Sequence, residues 1–103
     1  MSTTATKYLA IGTFTATPTP ELFAEWLPRE VPATLKIYLD GKMDQFWLRE
    51  DGKGVVFVMT TPTAEEAASL LKALPLGQAD LLRFELIPIG PLAPLGTLIA
   101  QAA

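Results

Sequence analysis

Cysteine and histidine are both missing from the 103 residues. Without cysteine there is no disulfide, no thiol nucleophile and no thiolate metal site. Nothing then requires an oxidising compartment. Without histidine the commonest general base and the commonest metal ligand are lost together. Acid–base chemistry falls to carboxylates, Tyr, Lys or an organic cofactor. Charge is also sparse, at 18% of residues, with eight Lys and Arg against eleven Asp and Glu. The basic residues are scattered, which argues against a nucleic-acid groove. No stretch is built as a membrane span: the longest uncharged run, Leu86 to Ala103, is broken by Pro88, Gly90, Pro91, Pro94 and Gly96. The opening residues, Met1 to Lys7, carry no apolar segment after a basic one and do not read as a signal peptide. One soluble, cytoplasmic domain spanning 1–103 is expected.

What the chain has in quantity is apolar surface: half of its residues are hydrophobic. That excludes disorder. Tyr8 to Thr15 is β-branched and aromatic and reads as a strand. Thr19 is a helix N-cap, with Pro20 at the first helical position and Glu21 facing the positive end of the dipole. A first helical piece is predicted to about Leu27, with Pro28 and Pro32 interrupting it. Val31, Leu35, Tyr38 and Leu39 share one face of a second piece, from about Pro32 to Asp40, and Gly41 stops it. Met43 to Glu50 and Gly54 to Thr60 read as two strands about the Asp51-Gly52 turn. Thr63 and Glu66 have capping-box spacing, and the helix they open carries Ala67, Leu70, Leu71 and Leu74 on one face. Leu81 to Ile87 is a fourth strand, followed from about 88 to 103 by an extended apolar tail. The order is β-α-β-β-α-β, an α+β ferredoxin-like subunit with an antiparallel sheet.

The hairpin carries information about partners. A two-residue turn at Asp51-Gly52 pairs Glu50 with Lys53, Leu48 with Val55, Trp47 with Val56, and Phe46 with Phe57. One face then holds Phe46, Leu48, Val55, Phe57 and Met59. The other holds Met43, Gln45, Trp47, Arg49, Val56, Val58 and Thr60. A sheet with one wet face should alternate apolar and polar residues, and this one is largely apolar on both. Two helices cover one face of four strands. A second copy of the chain is the simplest cover for the other, sheet against sheet at about 10 Å. A monomer with a few exposed aromatics is the alternative. The tail from Pro91 is expected to lie across a neighbouring subunit.

The run from Tyr38 to Val58, with Ala73-Leu-Pro-Leu and the segment Phe84 to Leu92, resembles muconolactone isomerase-like proteins of the dimeric α+β barrel superfamily. The resemblance covers residues 33–97. It implies a ferredoxin-like subunit whose sheets pair into a barrel, assembly into a homodimer or larger, and proton-transfer isomerisation of a lactone with no metal or organic cofactor. The family's strand segment has an adjacent Trp-Arg pair, whereas Leu48 separates Trp47 from Arg49 here. Its C-terminal His-Pro step is Ala93-Pro94 in this chain. A cofactor-free monooxygenase of the same superfamily and a non-catalytic binding or structural oligomer are the competing readings.

Five residues are candidates for a site. Arg49 beside Trp47 could hold a ligand carboxylate against an indole wall, or pair with Glu50, Asp51 or a neighbouring subunit. Glu85 is the candidate general base, since burial would raise its pKa toward neutrality. Arg83, on the same face of the last strand, could bind substrate or form an interface ion pair with Glu85. Tyr38 could direct its hydroxyl into a pocket, or pack as core with its hydroxyl at the rim. In the usual 4-1-3-2 strand order, Arg49 and Glu85 lie on opposite edge strands. Asp40 and Asp44 around Gly41 read as a solvated turn. The Asp51-Gly-Lys-Gly turn lacks the strand–loop–helix setting of a phosphate loop.

Overall fold

Thr19 and Thr63 do what their positions in the sequence promise. Each hydroxyl accepts a backbone N–H three residues on, from Leu22 and Glu66, both at 3.1 Å. These caps start two of the three helices in the computed structural model, which describes residues 7–91. The elements are β1 (Lys7–Phe14), α1 (Pro20–Leu39), β2 (Met43–Leu48), β3 (Gly54–Met59), α2 (Ala64–Lys72), α3 (Pro75–Gln78) and β4 (Leu82–Ile89). The fold is α+β, with one four-stranded antiparallel sheet in the order β2-β3-β1-β4. That order and the sequence of elements are compatible with a ferredoxin-like subunit. The tail beyond Pro91 lies outside the described residues, so its expected place on a neighbour has no counterpart here.

The helix predicted as two pieces is one. α1 runs unbroken through Pro28 and Pro32. The two prolines are four residues apart and exposed. Each removes one N–H, toward Ala24 and Pro28 respectively, on the side where water can hydrate the orphaned carbonyls. The helix ends in a Schellman turn: Gly41 N–H donates to Tyr38 O at 3.0 Å and Lys42 N–H to Ile37 O at 3.1 Å. Gly41 sits at φ +79°, which glycine adopts without a Cβ penalty.

The hairpin register is the predicted one for Phe46↔Phe57, Trp47↔Val56 and Leu48↔Val55. Two details differ. Arg49 N–H still bonds Gly54 O at 3.0 Å, so the chain reverses through Glu50 to Lys53 rather than through a two-residue loop. A bulge between Met43 and Gln45 moves Met43 opposite Met59, onto the face opposite the one expected. The extra residue in one strand flips the alternation. Met43 and Met59 are accordingly buried, with Phe57, Ala10, Ala67 and Leu71, in the core between sheet and helices.

Among the described residues, no helix covers the opposite sheet face. Leu9, Ile11, Val56 and Val58 are only half-buried there, Trp47 is 62% exposed, and Ile87 is exposed as well. The apolar second face expected from the hairpin is therefore present. The described chain leaves it open.

Candidate functional site

The unbroken α1 creates a feature that a broken helix hides. Phe23, Leu27, Glu30, Thr34 and Ile37 follow at spacings of four and three, so one stripe of the helix faces the sheet. Four of the five positions suit a core edge, and the fifth is a carboxylate. Glu30 is only 6% exposed. Its Oε1 accepts the backbone N–H of Leu76 at 2.9 Å. That bond ties the middle of α1 to the first turn of α3. Oε2 has no hydrogen-bond partner among the described residues. Burial pushes the Glu30 carboxyl above the ordinary carboxylate range, and the Leu76 N–H partly offsets this by stabilising the anion.

Glu30 lines a cavity of about 560 Å³ between α1 and the β2–β3 end of the sheet. Phe14 and Phe23 meet edge to face at one wall, with ring centroids 5.8 Å apart. Phe46, Phe57, Leu76 and Leu82 supply much of the rest. The mouth is apolar too, since Leu27, Val31 and Leu35 line it while remaining 39–48% exposed. Among the described residues Thr34 is the one hydroxyl side chain in the lining, and its Oγ1 donates to the Glu30 carbonyl at 2.9 Å. Among the described residues, Glu30 and Arg49 are the charged ones that line it.

The five candidates from the sequence fall in different places. Trp47 and Arg49 border the cavity on its hairpin side. The Arg49 guanidinium is largely engaged by its own chain. It donates to Thr13 Oγ1 at 2.8 Å, to Gly12 O at 3.3 Å and to Asp51 Oδ2 at 2.6 Å. Gly54 lies between Arg49 and Thr13 in the sheet, and a Cβ there would stand 1.9 Å from Gly12 O. The missing side chain lets β3 approach β1 where Arg49 reaches across. The Trp47 indole N–H donates to Gln45 at 3.2 Å. Tyr38 is absent from the cavity lining and packs edge to face on Phe46, 5.4 Å between centroids.

Arg83 and Glu85 lie on the open face of β4, away from this cavity. Arg83 is held by Asp80 through two contacts, 3.1 and 2.9 Å, which keep the Asp80 carboxyl below its ordinary range. It also borders a second cavity of about 390 Å³, between α2 and β4. Glu85 is exposed, so the burial that would have made it a base is not supplied by this chain alone. Arg49 and Glu85 sit on opposite edge strands, as the strand order implies. Among the described residues, no three acidic side chains gather as a metal site. No helix there is long and apolar enough to cross a membrane.

Glu30 was not among the sequence candidates. The signal for it exists: a lone carboxylate at a core position of a four–three stripe. It is visible only when Pro28 and Pro32 are allowed inside the helix. No protein-family model matches this chain, and no curated protein matches it.

Proposed function

We propose that the protein is muconolactone isomerase-like, a cofactor-independent isomerase that moves a proton on a small lactone or organic acid bound in the cavity beneath α1. The observation that carries this reading is a buried carboxylate in a chamber lined mostly by apolar side chains. Glu30, rather than Glu85, is the acid–base group. A desolvated carboxylate has its pKa moved toward the operating pH, where proton transfer is most effective. Leu76 N–H holds Oε1 in place, which leaves Oε2 to exchange the proton. In the reaction Oε2 takes a proton from the carbon next to the substrate carbonyl. The electron pair shifts into the conjugated system, and the same proton returns at another carbon. The isomerisation needs no oxidant and no second substrate. The assembly that fits the open sheet face is a homodimer or larger, with the half-buried Leu9, Ile11, Val56 and Val58 covered by a second copy.

The test is isomerisation of muconolactone and related lactones, followed by proton resonance in heavy water. Turnover is expected in the wild type and should fall by about 10²-fold or more in Glu30→Gln, the usual scale for losing a general acid–base group. A Glu85→Gln variant decides between the two carboxylates. Turnover unchanged in Glu30→Gln would remove that residue from the mechanism. The scarcity of polar side chains in the cavity favours a second reading, a non-catalytic carrier of small molecules. Saturable binding with no proton exchange in any variant would select it.

A further inference from the structure

We infer that, among the lactones and other carbonyl compounds this reading admits, the cavity prefers an uncharged, ring-sized one with few polar groups over a charged or oxygen-rich one. The inference rests on reading the cavity as the reaction chamber and Glu30 as its acid–base group. Size is the first ground. A volume of about 560 Å³ lies within the range of pockets that hold drug-sized molecules, about 300–1,000 Å³. A six-carbon lactone acid would leave much of it empty.

The walls are the second ground. Phe14, Phe23, Phe46 and Phe57 all line the cavity, and aromatic side chains favour edge or offset contact with a planar ring. The third is the supply of hydrogen-bonding groups. Thr34 already spends its hydroxyl proton on the Glu30 carbonyl, and Arg49 is held by Thr13, Gly12 and Asp51. Glu30 Oε2 is the polar atom left for a ligand at depth. A substrate with several oxygens would bury most of them without partners. A substrate carboxylate would in addition enter an apolar chamber beside the anionic form of Glu30, with two like charges desolvated together. The mouth agrees with the walls, because a hydrophobic ligand meets Leu27, Val31 and Leu35 first.

Isothermal titration with three probes tests this: 2-tetralone as the neutral ring ketone, 2-naphthoate as its charged counterpart, and muconolactone as the oxygen-rich small ligand. 2-Tetralone should bind at least tenfold more tightly than either. Val31→Trp, which fills the mouth from an exposed helical position, should abolish that binding while the far-ultraviolet dichroism is unchanged. Leu35→Trp serves the same purpose should the first variant fail to fold. Equal or tighter binding of 2-naphthoate or muconolactone would overturn the inference. So would 2-tetralone binding that survives the mouth-filling variants, or no 2-tetralone binding at all. Deuterium exchange at the ketone's α-carbon keeps the two readings apart. Tight binding with exchange unaffected by Glu30→Gln sinks the catalytic reading and leaves the ligand class standing. Muconolactone turnover without 2-tetralone binding does the opposite.

Discussion

Glu30 stands out among the described residues because its position works against its solvation. The side chain is buried, one oxygen is bonded to Leu76 N–H, and burial holds its pKa above the ordinary value of 4.5. A carboxyl with a raised native pKa binds more protons in the folded state than in the unfolded state at pH values above 4.5. Stability therefore falls as pH rises from 4.5 through the native pKa, and levels off beyond it. Asp44, Asp51 and Asp80 have the opposite sign. Each is held below 3.8: Asp44 by hydrogen bonds from Lys7 and Thr60, Asp51 by the Lys53 N–H and Arg49, and Asp80 by Arg83. Their stabilisation is lost as pH falls from about 3.8 through the native values. The two windows do not overlap. Glu30→Gln, which keeps an oxygen for the Leu76 N–H, should melt higher than wild type at pH 7. The difference should shrink toward zero at pH 4. Thermal melts at the two pH values check this, and a variant less stable at pH 7 would mean that the anion is net stabilising where it sits.

At the scale of elements, α1 is the part that makes the site. Its one continuous stripe lines the cavity wall, and its two internal prolines are tolerated because they face solvent. Proline inside a helix costs about 3 kcal/mol relative to alanine in model hosts. It also stiffens the unfolded chain, which recovers part of that. Pro28→Ala should therefore stabilise the protein by about 1–2 kcal/mol in urea unfolding. Leu27 and Glu30 flank this position, so a loss of stability would instead show that the wall depends on a proline-bent helix. α3 matters despite its four residues, since it brings Leu76 N–H to Glu30 and the Leu76 side chain to the cavity. The loop after α2 showed only Pro75 as a helix stop. A proline at the first helical position is equally a start, and the sequence alone does not distinguish the two.

At the scale of the molecule, the open sheet face is an apolar surface without a cover among the described residues. A layer of helices covers one side of the sheet, and the other presents half-buried aliphatics around an exposed Trp47. If a second copy covers it, light scattering at micromolar concentration should give at least twice the chain mass of 11.1 kDa. Val58→Asp should then give a monomer that keeps its dichroism, because an unpaired carboxylate buried at an interface costs several kcal/mol. A wild-type monomer over that range would rule the pairing out.

Much of the fold was legible in the sequence because it is set by local rules. Threonine caps, turn glycines, the period-two strands and the Asp51-Gly52 reversal depend on neighbours a few residues away. So did the hairpin register at Phe46, Trp47 and Leu48, and with it the apolar second face. Only the tertiary structure decided the rest. The bulge that buries Met43 depends on which face β3 presents to the helices. The tolerance of Pro28 and Pro32 depends on which side of α1 meets water. Glu30 became a candidate only when the sheet and α3 closed around it, because desolvation is a property of the surrounding fold and not of the residue.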